Sequence, residues 1–363
     1  MAKQNPIKRI FDLYTSDLSY QEIERLVKRD AAEVYEFFAR DIPKADANQN
    51  KFTRTLIFLR SLFNAFLLKL TPARRAFYIV SLIFAFFGII NNLDGYIIAS
   101  FLIINALLAF ELADKLTSKN EIDLARKIQN ELMPKNPPEN SLFEIAAFYE
   151  SAKEVGGDYF DVIPYGQNKD EFIIVIGDIS GKGIAAALYM VRVQAIVHSL
   201  VKTTSDPKEI IINLKKTFSE KLLPEYFLTM IIASISKDGA VTMCKAGHPP
   251  VIHYKKDTNE LNTINIKGMG IGLNDRGLFE KTIEEKTIKP NQGDILLFYT
   301  DGITEAMNEF KAEYGEERLK RVLEENATLS ANEIKQKILQ SVYLFRGSTL
   351  QFDDITLVVL KAK

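Results

Sequence analysis

The sequence predicts an α+β fold in which packed β-sheets carry helices on their outer faces, preceded by an all-helical N-terminal region. Long uncharged apolar runs occur only before residue 113, and mixed strand-like and helical patterns fill the rest of the chain. In that second part the strands come in runs separated by pairs of helices and do not alternate with single helices. This order is typical of packed sheets with helices outside.

The composition excludes several classes of site. A net charge of −1 over 363 residues gives no reason to expect nucleic-acid binding. The single cysteine, Cys244, excludes an internal disulfide and a cysteine-rich zinc site. The three histidines, His198, His248 and His253, are too scattered for a zinc motif. Carboxylates must therefore supply the ligands of any metal site.

The N-terminal part divides into a polar segment, 1–54, and an apolar segment, 55–113. Tyr20 to Arg40 has the apolar spacing of an amphipathic helix. Two uncharged stretches, about 76–93 and 95–112, each approach the roughly 20 residues that cross a bilayer. Lysine and arginine flank this pair and are absent from the turn, which predicts a hairpin with both ends in the cytoplasm. The alternative is a buried helical hairpin in a soluble cytoplasmic protein.

Residues 114–138 are predicted to form a linker that separates the apolar hairpin from a globular domain at 139–363. The charged stretch 111–133 is rich in helix formers, and prolines from Pro134 onward end it. An apolar stripe follows one side of this helix, at Ile122, Ala125, Ile128 and Leu132. The helix either packs on its own domain or forms a two-helix seam with a second copy.

Within 139–363, short apolar runs predict strands and periodic patterns predict helices. The predicted strands are Phe143–Phe148, Phe172–Ile176, Phe227–Ile235, Val241–Cys244, Val251–Tyr254, Asp294–Tyr299 and Ile355–Leu360. The predicted helices are Ile184–Lys202, Asp206–Lys221, Glu316–Glu325 and Ala331–Phe345.

Acidic residues recur at the ends of these strands, beside glycine or a second acid. The four segments are Gly156-Gly157-Asp158, Gly177-Asp178, Asp301-Gly302 and Asp353-Asp354. One such segment alone could equally be a nucleotide-binding turn or a tight connection. If the four converge, their mutual repulsion requires a counter-charge, and carboxylate oxygens suit Mg²⁺ or Mn²⁺.

Four motifs in order make this pattern specific. They are EVGGDYFDV at 154–162, GDISGKGIAAAL at 177–188, AGHPP at 246–250 with YTDGITEA at 299–306, and FDDITLVVL at 352–360. With these motifs the chain resembles the metal-dependent serine/threonine protein phosphatases of type 2C, in the bacterial branch of the RsbU and SpoIIE kind. The lead-in ARKIQNELMP is similar to the helix that precedes the catalytic domain in that branch. The resemblance implies a sandwich of two antiparallel sheets with helices on both outer faces.

The resemblance also implies two divalent cations, Mn²⁺ or Mg²⁺, and assigns their ligands. Asp178 matches the acid that bridges both ions, and the backbone carbonyl of Ile179 matches a further ligand. Asp301 and Asp353 match ligands of the second ion, and Asp158 matches an acid that acts chiefly through water. Asp158 and Asp178 are accordingly the expected catalytic residues.

Other residues are expected to support this centre. These are Gly157, Gly177, Gly302 and Asp354, the last being the alternative to Asp353 as a metal ligand. Lys182 is either a phosphate contact or a solvated lysine, and His248 is expected to be structural in a turn, with general acid as the alternative. Thr300 and Thr304 are expected to support the Asp301 turn, and Asp161 to be a turn acid. No early arginine matches the phosphate-binding arginine of mammalian relatives.

The implied reaction is hydrolysis of phosphoserine or phosphothreonine on a cytoplasmic regulatory protein, through a water activated by two metal ions. In this branch the substrate is an anti-sigma-antagonist-like protein. The predictions also include a homodimer through 111–133, attachment to the cytoplasmic membrane and no nucleic-acid partner. Two alternatives stay open: an inactive signalling scaffold with this fold, and a metal hydrolase of another phosphoester.

Overall fold

The computed structural model describes residues 51–134, 137–166 and 170–363. The chain divides into an N-terminal unit that extends to Thr117 and a C-terminal unit, Ser118–Lys363. The amphipathic helix predicted at Tyr20 to Arg40 lies outside the described residues.

The N-terminal unit contains α1 (Lys51–Lys69), α2 (Pro72–Asn91) and the first part of α3 (Asp94–Leu132). Helices α2 and α3 contain the two apolar stretches of the predicted hairpin. The chain reverses at Asn92, whose φ of 52° lies in the left-handed region that asparagine tolerates better than most residues. Helix α3 continues without a break from the apolar stretch into the charged stretch that follows it.

Helices α2 and α3 pack closely because a glycine lies between them. A Cβ atom on Gly88 would lie 2.7 Å from Cγ1 of Ile97, so a larger residue would push the helices apart. At the other end of the hairpin, Arg74 forms ion pairs with Glu111 at 2.8 Å and Asp114 at 2.6 Å. The hairpin is therefore joined at both of its ends.

Among the described residues, three helices are long and apolar enough to cross a membrane by length and composition: α2, α3 and α4 (Ile184–Val201). Their apolar windows differ in burial, at 11% for α2, 6% for α3 and 39% for α4. Helix α4 packs on strands of the C-terminal unit, so its apolar residues belong to that unit's core. The apolar faces of α2 and α3 are exposed.

The C-terminal unit contains two antiparallel five-stranded sheets. The first sheet has the order β1, β10, β9, β6, β7, and the second has the order β2, β3, β4, β5, β8. The strands are β1 (Phe143–Glu150), β2 (Asp158–Pro164), β3 (Phe172–Ile179), β4 (Leu228–Ile235), β5 (Val241–Ala246), β6 (Val251–Lys255), β7 (Glu260–Ile264), β8 (Glu285–Ile288), β9 (Ile295–Tyr299) and β10 (Ile355–Ala362).

Helices cover the outer face of each sheet. Helix α4 and α5 (Pro207–Ser219) pack on the second sheet, and α8 (Glu316–Glu325) and α9 (Ala331–Arg346) pack on the first. Two short helices, α6 (Phe279–Thr282) and α7 (Asp301–Thr304), lie in connections. Apolar side chains from both sheets, such as Phe172 and Val358, share one core. The predicted sandwich with outer helices is confirmed.

Three strands escaped the sequence prediction. Strand β2 was missed because its buried sequence, DYFDVIP, contains two aspartates. Strands β7 and β8 lie at the edges of the two sheets and are mostly exposed, so they lack apolar runs. Asp161, expected in a turn, lies inside β2, where it pairs with Val175 of β3.

Candidate functional site

The ladder between β2 and β3 brings the first two candidate acids together. Asp158 begins β2 and lies directly opposite Asp178, near the end of β3. A Cβ atom on Gly177 would lie 2.8 Å from the carbonyl oxygen of Thr229, so the residue before Asp178 must be small. The antiparallel register therefore fixes the relative position of two carboxyl groups that are distant in sequence.

Asp158 is buried inside the sandwich, with 2% of its surface exposed. Its Oδ2 accepts hydrogen bonds from the hydroxyl of Thr300, at 2.8 Å, and from the hydroxyl of Thr356. Burial raises the pKa of Asp158 well above its usual value, and the negative charges of Asp178 and Asp354 raise it further. Thr300 was expected to support the Asp301 turn, but its hydroxyl binds Asp158.

Asp178 is influenced by the acids of two other segments. Burial raises its pKa to about 7, and the charges of Asp301 and Asp353 contribute to the rise. The pKa of Asp301 is raised by burial and then by Asp353. Direct contacts join the four segments: Asp158 pairs with Asp178, Asp354 accepts from the Gly157 N–H, and Gly302 packs against the Asp354 carbonyl. The structure therefore brings all four predicted acidic segments to one region.

A lysine balances part of this negative charge. Lys182 Nζ lies 2.8 Å from Oδ2 of Asp353 and also donates to the carbonyl of Phe352. Within the described part of the chain, no three carboxylate, imidazole or thiolate groups are arranged closely enough to form a complete metal site. For a cation to bind at Asp353, it must compete with the ammonium group of Lys182.

Asp354 has a different environment from Asp353. Its Oδ1 accepts from the backbone N–H of Ala152 at 2.7 Å. Its Oδ2 accepts from the N–H groups of Gly157, at 2.6 Å, and Asp158, at 3.3 Å. The Asp354 carboxylate therefore holds the loop that leads into β2.

Glycine at 157 leaves space beside the candidate ligands. A Cβ atom there would lie 2.9 Å from the carbonyl oxygen of Ile179 and 3.5 Å from Oδ1 of Asp178. A side chain at this position would fill a cradle lined by a carbonyl oxygen, a carboxylate oxygen and the Cβ atom of Ala186, which would lie 3.2 Å away. Such oxygen donors fit a hard cation such as Mg²⁺ or Mn²⁺. Gly302 is also required by packing, since its Cβ would lie 1.9 Å from the carbonyl oxygen of Asp354.

The family model for stage II sporulation protein E (SpoIIE) matches residues 168–363, which is more than half of the chain. The chain belongs to the SpoIIE family. The predicted membership in the RsbU and SpoIIE branch of the type 2C phosphatases is thereby confirmed, and so is the enzyme class, a serine/threonine phosphatase.

Relatives and solved structures agree with this assignment. The chain is 29% identical over 249 residues to the phosphoserine phosphatase RsbU of Bacillus subtilis, covering 68% of this chain and 71% of RsbU. It is 27% identical over 285 residues to protein IcfG of Synechocystis, covering 71% of this chain and 44% of IcfG. The solved SiaA-PP2C domain of Pseudomonas aeruginosa superposes with a TM-score of 0.59 at 18% identity, covering 69% of this chain and 98% of that domain. At this identity the last comparison supports the fold alone.

The end of α3 is attached to the loop that precedes Asp158. Gln129 Nε2 donates to the carbonyl of Gly156 at 2.7 Å, and its Oε1 accepts from the Gly156 N–H at 3.1 Å. Gln194 of α4 donates to the Leu132 carbonyl at 2.7 Å. Sequence reasoning missed Gln129, although a glutamine within the lead-in ARKIQNELMP was a signal that could have been weighed.

Two residues considered from the sequence lie in structural roles. His248 is buried, its Nδ1 lies 3.1 Å from the hydroxyl of Thr229, and burial lowers its pKa to about 3. A histidine with this pKa is neutral near pH 7 and holds no proton for a general acid. Asp161 lies 2.7 Å from His198 and accepts from the hydroxyl of Tyr159.

Proposed function

We propose that this SpoIIE-family phosphatase hydrolyses phosphoserine or phosphothreonine on a cytoplasmic regulatory protein and requires two divalent cations, Mn²⁺ or Mg²⁺. The observation that carries the proposal is the cradle beside Gly157, where the Ile179 carbonyl and Asp178 lie next to the buried Asp158. The Ile179 carbonyl oxygen and the Asp178 carboxylate oxygen line this position beside the Cβ atom of Ala186. Burial raises the pKa of Asp158 and of Asp178, and the neighbouring negative charges raise both further.

The candidate ligands have separate roles in this proposal. Asp178 would bridge the ions, the Ile179 carbonyl would bind one, and Asp301 and Asp353 would bind the other. Asp158 would act through water. Bound divalent cations would lower the pKa of a coordinated water and stabilise negative charge on the phosphoryl oxygens.

The protein itself fixes these groups before substrate arrives. Thr300 and Thr356 orient Asp158 through hydrogen bonds, and Asp354 orients the loop through three backbone N–H groups. Because these groups are already oriented, they need no rearrangement during the reaction. Such preorganisation is a main source of electrostatic stabilisation of a transition state. Asp354 therefore supports the centre, and Asp353 is the proposed ligand.

A covalent route through cysteine has no support in the structure. Cys244 is buried in β5, and burial raises the pKa of its thiol to about 12. The thiolate that would act as a nucleophile is therefore scarce at neutral pH. Direct attack by water on phosphorus agrees with the groups that the site provides.

Phosphate release tests the proposed function. The full chain is assayed with a phosphoserine peptide and with nucleoside phosphates, in the presence of Mn²⁺ or of a chelator. We expect release from the phosphoserine peptide that requires Mn²⁺ and is lost in Asp178→Asn but retained in the surface control Asp257→Asn. Absence of release from a folded protein under every metal would favour the inactive scaffold, and a preference for nucleoside phosphates would favour another phosphoesterase.

The N-terminal unit is proposed to anchor the enzyme in the cytoplasmic membrane. Helix α2 and the first part of α3 present apolar side chains outward, including Phe86 and Phe101, which are 67% and 64% exposed. Faces of this kind are stable in lipid and unfavourable in water. A membrane hairpin predicts that the full chain stays with the membrane fraction during an alkaline wash. Release into the supernatant would support the soluble alternative.

The linker part of α3 is proposed to form a homodimer. Ile128 and Leu132, which belong to the predicted apolar stripe, are 55% and 40% exposed. Together with Ile122 and Ala125 they recur every three or four residues, as a two-helix seam requires. Sedimentation velocity of the Ile128→Glu variant and of the wild-type chain tests the dimer. The introduced charge should weaken the association, so the variant should sediment more slowly.

The substrate is proposed to be a phosphorylated anti-sigma-antagonist-like protein, on the basis of the similarity to RsbU.

A further inference from the structure

A cleft of about 250 Å³ lies beside the candidate metal ligands. Its lining includes Lys182, Glu305, Arg346, Leu350, Phe352 and Asp353. Asp353 is the point of continuity, because it belongs both to this cleft and to the proposed metal centre. A molecule that fills the cleft therefore lies next to the position of the phosphoryl group in the proposed function.

Arg346 provides a positive charge whose donors are only partly used. The guanidinium stacks at 5.3 Å over the ring of Tyr343 and donates through Nη1 to Oε1 of Gln351 at 3.0 Å. Its Nε is buried and has no hydrogen-bond partner among the described residues. Arg346 lines the cleft, and a carboxylate is the acceptor that a guanidinium binds best.

The rim of the cleft is apolar and exposed. Leu350 and Phe352 have 60% and 56% of their surfaces exposed, and Met307 also contributes to the lining. Exposed apolar side chains around a polar centre mark a protein-binding surface. The volume is below the roughly 300–1,000 Å³ of typical small-molecule pockets, so it suits one or two side chains of a bound segment.

We propose that this cleft binds the substrate segment that flanks the phosphorylated residue, with an apolar side chain against Leu350 and Phe352 and a single carboxylate at Arg346. The inference rests on the proposed function, since it places the phosphoserine at the neighbouring metal centre. Glu305 also lines the cleft, and its charge disfavours a run of several acids. The cleft thus selects a mixed apolar and acidic sequence.

Peptide binding to the full chain tests this assignment. Two fluorescein-labelled phosphoserine peptides differ only in two flanking residues, Leu-Glu in one and Gly-Gly in the other. The phosphoserine of each peptide is replaced by its non-hydrolysable phosphonate analogue, and the affinities are measured by fluorescence anisotropy with Mn²⁺ present, so that the anion has its proposed counter-charge and is not released. We expect the wild-type chain to bind the Leu-Glu peptide about tenfold more tightly, the magnitude of one charge-assisted hydrogen bond with an apolar contact.

Variants separate the cleft from general effects. Leu350→Glu and Arg346→Ala should abolish the preference for the Leu-Glu peptide, and Arg346→Lys should retain part of it. Leu344→Glu is the matched control, because Leu344 lies on α9, is 75% exposed and does not line the cleft. Leu350 is a surface residue, so its variant keeps the test valid if Arg346→Ala fails to fold.

Equal affinities for the two peptides, or a preference that survives in Leu350→Glu, would overturn the inference. Hydrolysis of para-nitrophenyl phosphate with Mn²⁺ is measured on the same preparations, because this small substrate has no flanking residues that could fill the cleft. If the wild-type chain does not hydrolyse para-nitrophenyl phosphate, the proposed function is refuted. If it does, but shows no preference between the peptides, only the assignment of the cleft to substrate binding is refuted.

Discussion

The two sides of the candidate centre differ in how firmly they are built. On one side, Asp158 and Asp178 lie opposite each other in the β2–β3 ladder, so the backbone register holds them. On the other side, Asp301 begins a four-residue helix and Asp353 lies in a connection, where it pairs with Lys182. The first side is preformed by the sheet. The second is held by an exchangeable ion pair, and it is the side where a cation must displace a lysine.

The largest expected effect is a difference in stability between alanine variants of Asp354 and Asp353. Asp354→Ala removes the acceptor of three backbone N–H groups, and should lower the free energy of unfolding by about 3 kcal/mol. Asp353→Ala removes a half-exposed ion pair and should cost less than about 1 kcal/mol. Both variants should lose metal-dependent activity. Thermal unfolding with a chelator measures the difference in stability.

The reverse pattern would change the assignment of the second side. If Asp353→Ala unfolded the protein and Asp354→Ala left it stable with weakened metal binding, Asp354 would be the ligand. The sequence left this alternative open, because either acid of the pair follows Phe352 and precedes β10.

A smaller effect, on metal-dependent activity, should follow from removing the hydrogen bonds between α3 and the loop that precedes Asp158. Gln129→Ala removes both hydrogen bonds to Gly156, so the loop before Asp158 should become less ordered. We expect the Mn²⁺ concentration for half-maximal activity to rise about threefold to tenfold. Asn130→Ala, at the exposed neighbouring position, is the matched control and should leave it unchanged. An identical response in both variants would show that α3 has no role in ordering this loop.

Removing Lys182 should have the opposite effect and lower the Mn²⁺ requirement, because Lys182 competes with a cation for Asp353. Lys182→Met leaves Asp353 without its ion-pair partner, so a cation meets less competition there. The Mn²⁺ requirement should fall by about twofold to fivefold, the magnitude of a half-exposed ion pair. Titration of activity with Mn²⁺ measures this. A higher requirement would mean that Lys182 assists metal or phosphate binding.

The smallest expected effect is a pH-dependent change in stability, caused by the contact between His198 and Asp161 of β2. The hydrogen bond to Asp161 raises the pKa of His198 above its usual 6.5, and partial burial, followed by the charge of Lys202, opposes this rise. The stabilisation is therefore full below about pH 6.5 and is lost as the pH rises through the raised pKa. His198→Gln should cost up to about 1 kcal/mol at pH 6 and less at pH 8, because the imidazole is half exposed. Denaturant unfolding at both pH values checks the trend, and a cost that grows with pH would contradict it.

The sequence allowed the fold to be predicted where local signals agreed with the environment. Strand β3 and helix α8 were predicted closely because one is a continuous apolar run and the other has strong helical periodicity. Strand β2 was not predicted, since its aspartates are stabilised by partners from distant segments, Thr356 and His198. A single-sequence pattern contains no information about such partners.

The same distinction applies to the candidate site. Acids beside glycines at strand ends indicated which segments would meet, and the structure brings these segments together. The functions of Thr300, Gln129 and Lys182 could not be derived in the same way, because each depends on a contact with a residue far along the chain.

Direct measurement of Mn²⁺ binding tests the central claim, that these two sides together form one two-metal centre. Calorimetric titration of the full chain gives the number of ions bound, and Asp178→Asn and Asp353→Asn are titrated in parallel. The account predicts two ions for the wild-type chain, a large loss of affinity for both in Asp178→Asn, and loss of one in Asp353→Asn. Equal binding by the wild-type chain and Asp178→Asn would contradict it.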